Sequence, residues 1–341
     1  MKNIIFILLL IFSINISGQR ARKEFTIIFY NVENLFDTED DPLTDDNEFT
    51  PDSEKSWDHD KYGKKLKDIA RVLSSVNSSD LPEIIGLCEI ENRKVLEELV
   101  NIRSLRKGNY SIVHSESPDN RGIDVALLYR ADEFSVHESE SVPVIFPFDS
   151  SMTTRDILYV TGKEKDGESF YFFVNHWSSR GQGEKETEPK RIYAAVTLRK
   201  KIDALMNRDP HAKIVIMGDF NDEPTNRSIF EMLIANNKRK NASERELYNL
   251  MYDLHNIDNA GTYFYRGNWN MLDQLIVSQS LLREKTGYHT GFDSGKILKQ
   301  QWMLYHDQQF DEYVPNKTYG GPEYYGGISD HLPVYVTLVK E

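Results

Sequence analysis

Gly218-Asp219-Phe220-Asn221-Asp222 follows directly on the apolar run Ile214-Val215-Ile216-Met217, and Asp330-His331 directly precedes Leu332-Pro333-Val334-Tyr335-Val336. A short apolar run with polar punctuation reads as a buried strand. A strand that ends in two carboxylates and an amide neither caps a helix nor fills a core. It presents ligands to a metal or a phosphate at the edge of a sheet. These two stretches therefore point to an enzyme built on strands.

Similar β-rich runs recur outward from this pair, at Phe25 to Tyr30, Glu83 to Cys88, Ile123 to Tyr129, Ile157 to Thr161, Ser169 to Val174, Leu272 to Val277 and Pro333 to Val339. Helical spacing is clear in two places. Leu66, Ile69, Ala70, Leu73 and Val76 repeat after Lys61, and Ile192, Ala195, Val196, Leu198, Ile202 and Leu205 repeat after Pro189. Many strands with few amphipathic helices predict an α/β class with four layers, two packed and mostly antiparallel sheets with helices outside. No repeat or linker interrupts the chain, so residues 19–341 are read as one domain. The stretch 284–329, rich in Gly, Tyr and Gln, reads as a long loop.

The formal charge of −13 is unevenly spread, because residues 37–60 hold eleven carboxylates against the single base Lys55. That acidic insertion lacks the glycine and spacing of an EF-hand loop and is expected to be a solvated surface loop. It weakens the case for a polyanionic substrate without excluding one. Residues 1–18 carry Lys2, an apolar run from Ile4 to Phe12 and a small-residue exit at Ser17-Gly18, the features of a secretory signal peptide. An exported, periplasmic or secreted protein is expected. The single cysteine, Cys88, lies inside an apolar strand and reads as a core residue, so no disulfide framework is available.

Polar side chains sit at the ends of at least six strands: Asn31, Glu89, His176, Asp219 with Asn221, Asp273, and Asp330-His331. Packed sheets could bring these ends together. Magnesium needs few protein oxygens, so Glu89, helped by Asn31 and Asp330, would suffice to hold it. The histidines lack the paired spacing of a zinc site.

The six clusters Phe29-Tyr30-Asn31-Val32-Glu33-Asn34, Gly86-Leu87-Cys88-Glu89-Ile90-Glu91-Asn92, Val174-Asn175-His176-Trp177, Gly218-Asp219-Phe220-Asn221-Asp222, Leu272-Asp273-Gln274-Leu275 and Ser329-Asp330-His331-Leu332-Pro333 together resemble the endonuclease/exonuclease/phosphatase superfamily, the DNase I-like fold. Singly each is weak; in this order they cover nearly all of residues 19–341. The resemblance implies that Glu89 is the principal metal carboxylate, with Asn31 and Asp330 in the metal and water shell. It implies that His331 is the general base oriented by Asp273, that Asp219 and Asn221 position the nucleophile and stabilise charge on phosphorus, and that His176 assists on the leaving-group side with Asp124 as its carboxylate partner. Arg155 and Arg180 are expected to contact substrate phosphate, although Arg155 reads equally well as a surface arginine and the Arg180 loop as a flexible turn.

The function this implies is an exported phosphodiesterase using Mg2+ or Mn2+, with Ca2+ a third option, acting as a monomeric nuclease on nucleic acid or another phosphodiester. A histidine at 176 favours the DNase I, phosphatase and sphingomyelinase branches over base-excision repair enzymes. Two alternatives stand beside the nuclease: a phosphatase or phospholipase C-like hydrolase of inositol phosphates or sphingomyelin, and an inactive binding protein on the same scaffold.

Overall fold

The computed structural model describes residues 22–77, 80–284 and 286–341; the signal-peptide expectation for residues 1–18 lies outside the described residues. The first sheet contains β1 (Lys23–Leu35), β2 (Ile84–Ile90), β3 (Tyr110–His114), β4 (Asp124–Arg130), β14 (Lys296–Ile297) and β19 (Val334–Lys340), in the order β14-β19-β1-β2-β4-β3. The second contains β5 (Phe134–Val142), β6 (Ile157–Glu164), β7 (Ser169–His176), β8 (Ile214–Asp219), β9 (Ala235–Asn236), β10 (Leu247–Asn249) and β13 (Asp273–Ser278), in the order β5-β6-β7-β8-β13-β10-β9. Parallel pairing joins only β1 to β2, β7 to β8 and β9 to β10 in these sheets. The remaining short strands form three hairpins: β11 (Tyr263–Tyr265) with β12 (Asn268–Asn270), β15 (Leu304–Asp307) with β16 (Glu312–Pro315), and β17 (Tyr319–Gly320) with β18 (Glu323–Tyr324).

Alternation along β1 shows how the layers stack. Phe25, Ile27 and Phe29 point between the sheets, onto Phe170, Phe172 and Met217, while Ile28 and Tyr30 point outward onto the helices α1 (His59–Ser74) and α2 (Arg93–Val100). On the far side, α3 (Glu184–Arg208) buries Ala195, Leu198, Ile202 and Leu205 against Ile214 and Ile216 of β8. Both faces of each central strand are therefore buried, which is why the sequence shows near-continuous apolar runs there. The result is the expected four-layer α/β sandwich with mostly antiparallel sheets.

Local structure departs from the sequence reading in several places. The helix expected after Pro189, α3, begins at Glu184 and carries Pro189 inside it rather than before it. The stretch 284–329 is not featureless, since it holds β14 and two of the hairpins. The acidic insertion is anchored, not merely solvated: Phe49 stacks on Phe36 at 4.3 Å, Trp57 Nε1 donates to the Phe36 carbonyl, and Asp37 and Asp46 are buried.

Candidate active site

Strand registers bring the polar ends together. Parallel pairing sets His176 beside Asp219, and antiparallel pairing sets Asp219 beside Asp273. The pair β7 and β8 runs so close that a Cβ on Gly218 would lie 2.6 Å from the Asn175 carbonyl oxygen, so only glycine fits there. In the other sheet the β2–β4 register slips between Cys88 and Ile90, and Glu89 takes a left-handed φ of 61°. Such a conformation costs a non-glycine residue on the order of 1–3 kcal/mol and persists where the surroundings impose it. Here the bulge turns the Glu89 carboxylate out of the ladder toward the second sheet.

Asn31, fully buried, ties the two halves: its Nδ2 donates to Glu89 Oε1 at 3.2 Å and to Asp219 Oδ2 at 3.0 Å. Its Oδ1 accepts from the Glu33 N–H. Asn31 thus offers the site its amide hydrogens and holds the carboxylates, instead of offering the oxygen expected of a metal-shell residue. Glu89 Oε2 accepts from the Asn34 N–H at 2.9 Å and has no lysine or arginine partner among the described residues. Asp330 completes a carboxylate group around the cavity with Glu89 and Asp219. A cluster of carboxylate oxygens suits a hard divalent ion, and these three residues would hold it.

Asp219 Oδ2 lies between two imidazoles, 3.7 Å from His176 Nε2 and 3.8 Å from His331 Nε2. His331 Nδ1 donates to Asp273 Oδ2 at 2.7 Å, which leaves Nε2 facing the cavity. Tyr263 packs on the His331 ring at 4.8 Å and fixes its plane. Burial opposes a charged ring at 331, but Asp273 and Asp219 outweigh it and raise its pKa well above the ordinary histidine value. Burial, then Arg155 and Arg121, hold His176 well below that value, so it stays neutral. Burial pushes the Asp219 carboxyl up to about 6, against the pull of His331. Burial and the nearby Glu33 push Asp330 up to about 7. One site thus contains a basic and a non-basic histidine, an arrangement that separates acid and base roles. The carboxylates of Asp219 and Asp273 and the His331 ring also lie within metal-binding distance of each other. The tight His331–Asp273 bond marks that trio as proton-transfer machinery.

Asn221 donates through Nδ2 to the Trp177 carbonyl at 3.0 Å, and its backbone N–H donates to Asp219 Oδ1 at 2.9 Å. Arg180 lines the cavity, with Nε on the Asn221 carbonyl at 2.6 Å and Nη2 toward Asp222 and Asn226. Two further expectations are corrected. Asp124 is not the partner of His176: it bonds His114 Nε2 at 3.1 Å and takes both the N–H and Oγ of Ser117, and His176 Nδ1 is buried with no hydrogen-bond partner. Arg155 does not reach substrate space. Its guanidinium donates to the carbonyls of His176 and Trp177 and pairs with Asp119 at 2.9 Å, so it braces the His176 strand end.

The cavity in front of these groups measures about 700 Å3. Arg121 and Arg266, both missed by sequence reasoning, line it with Tyr263, Tyr265 and Asn268. Arg121 stands three residues before Asp124 on the loop leading into β4, where a basic residue between Asn120 and Gly122 was the available signal.

The model of the Endonuclease/Exonuclease/phosphatase family matches residues 26–340. The chain belongs to that family. Its members are phosphoric ester hydrolases, generally dependent on a divalent metal. No curated protein matches the sequence. Among solved structures, an endonuclease/exonuclease/phosphatase family protein from Bacteroides thetaiotaomicron superposes with a TM-score of 0.58 at 20% identity, covering 94% of this chain and 96% of that one. A mannosyl-6-phosphatase of the same species gives 0.56 at 19% identity over 92% and 99% of the two chains. The human Nocturnin catalytic domain gives 0.53 at 15% identity over 93% and 96%. At these identities the likeness establishes the DNase I-like fold of this family member.

Proposed function

We propose that the protein is an exported, divalent-metal-dependent phosphodiesterase that hydrolyses nucleic acid by direct attack of water on phosphorus. The arrangement that carries this reading is the carboxylate group of Glu89, Asp219 and Asp330 set against His331, whose Nδ1 is held by Asp273. When bound, the ion supplies Lewis-acid polarisation of a phosphoryl oxygen. His331, uncharged once the neighbouring carboxylates hold a cation, takes the proton of the attacking water at Nε2, and Asp273 stabilises the ring as it becomes charged. Asn221 and Asp219 orient that water and the phosphoryl group. His176, neutral beside Asp219, donates a hydrogen bond toward the leaving oxygen.

The nucleic-acid assignment is supported by the walls of the cavity. Arg121, Arg180 and Arg266 supply positive charge, and the half-exposed Tyr265 beside Tyr263 offers an aromatic side chain on which a base can stack. A second reading, a phosphatase of a small phosphorylated ligand, is favoured by the volume of the cavity, which suits a ligand of modest size. The discriminating experiment is a panel with plasmid DNA, RNA, sphingomyelin, inositol phosphates and bis-p-nitrophenyl phosphate, in magnesium or manganese. Nicked DNA or shortened RNA supports the nuclease. Intact nucleic acids beside released phosphate from a soluble monoester would replace it with the phosphatase.

A further inference from the structure

A second cluster of metal-ligating side chains stands one strand away from Glu89. Asp124 opens β4 and pairs across the β2 bulge with Ile90, while His114 closes β3 opposite Ala126. The two side chains share a face, and His114 Nε2 lies 3.1 Å from Asp124 Oδ2. Glu116 follows on the loop, its Oε1 4.0 Å from His114 Nδ1. One ligand atom from each of the three lies within 4.8 Å of the others. Ligands bound at ~2.0–2.2 Å around a tetrahedral ion stand roughly 3.3–3.6 Å apart, so this set closes on a metal with small side-chain rotations.

We infer that His114, Glu116 and Asp124 form a second divalent transition-metal site, distinct from the catalytic carboxylates, that fixes the loop carrying Arg121. One imidazole and two carboxylates suit Mn2+ or Zn2+ better than Mg2+, which favours oxygen alone. Carboxylate oxygens of Glu116 and Asp124 within 4.8 Å repel unless a proton or a cation lies between them. The supporting shell is present: the Ser117 N–H and Oγ donate to Asp124 Oδ1 at 2.8 and 2.6 Å, and the ion would take the place of the proton between Asp124 Oδ2 and His114 Nε2. An entry path is present too, because Glu116 lines a cavity of about 300 Å3 with Asp37, Asp40, Asp41 and Glu91. The acidic insertion then has a role, concentrating cations at that mouth.

The consequence reaches the active site through residues 115–123. That loop carries Arg121 into the catalytic cavity, and its Asp119 holds Arg155, which in turn braces the backbone of His176. An ion at its base orders both arginines.

The experiment counts Mn2+ bound to EDTA-stripped protein by electron paramagnetic resonance and calorimetry, comparing Glu89→Gln with Glu89→Gln/Glu116→Gln and Glu89→Gln/His114→Asn. Glu116 is mostly exposed, so its substitution leaves the fold intact. The expected result is one ion fewer in both double variants, and an Mn2+-induced rise in melting temperature that survives Glu89→Gln and disappears in the doubles. In the wild-type background, Glu116→Gln should raise KM about tenfold with little change in kcat. Equal Mn2+ binding by Glu89→Gln and both double variants would overturn the site.

Discussion

His331 Nδ1 donates to Asp273 Oδ2 across 2.7 Å, joining a residue before the last strand of one sheet to the first residue of β13 in the other. Both groups are buried, and the other Asp273 oxygen has no partner among the described residues. The bond fixes which imidazole nitrogen faces substrate. Asp273→Asn keeps the shape but no longer favours a proton on Nδ1 with Nε2 free. The expected outcome is a fall in kcat of roughly 10^2- to 10^4-fold with a smaller change in KM. Steady-state kinetics check it, and a KM-only effect would remove Asp273 from proton transfer.

Glu89 is the carboxylate whose backbone bends furthest to reach the site. Glu89→Gln should raise the magnesium or manganese concentration for half-maximal rate at least about tenfold. EDTA should abolish wild-type activity, and added metal should restore it. A metal titration of both proteins decides this, and an unshifted midpoint would place the catalytic ion elsewhere.

Arg121 and Arg155 should separate cleanly. Arg121 meets the cavity with a half-exposed side chain, so Arg121→Ala should raise KM and leave the melting temperature unchanged. Arg155 is buried on two carbonyls and Asp119. Its removal leaves those acceptors unpaired, so Arg155→Ala should lower the melting temperature by several degrees. Thermal melts and kinetics on the two variants test this contrast.

A pH effect on stability comes from the core, away from the catalytic groups. Burial pushes Glu83 from its ordinary 4.5 up to about 7, although it accepts from the Thr26 N–H and faces Arg130. A raised folded pKa means that the folded state binds the proton more tightly than the unfolded chain. The contribution is complete below pH ~4.5 and is lost as pH rises through ~7. That change is on the order of 3 kcal/mol. Urea unfolding at pH 5 and pH 8 should show wild type losing stability relative to Glu83→Gln, and parallel pH curves would refute it.

Much of this architecture was legible in the residues. Ile214 to Met217 and Phe25 to Tyr30 announced buried strands because both faces are covered, and the polar residues beyond them announced the site edge. The strand β5 escaped notice because its Ser135, His137, Glu138 and Glu140 face solvent at a sheet edge and look like loop. Asp124 was paired with the wrong histidine for a related reason. With β3 unread, His114 had no place beside β4, and register across strands is not written in either strand alone. Arg155 misled because arginine signals phosphate equally well when its guanidinium is turned inward onto carbonyls.

The central claim is that His331 is the base at this site, and imidazole rescue of His331→Ala measures it most directly. The account predicts that kcat falls at least about 100-fold, that added imidazole restores part of the lost rate, and that the restored rate follows the fraction of neutral imidazole as pH changes. Wild-type turnover in His331→Ala, or a loss that imidazole leaves untouched while the variant remains folded, would contradict it.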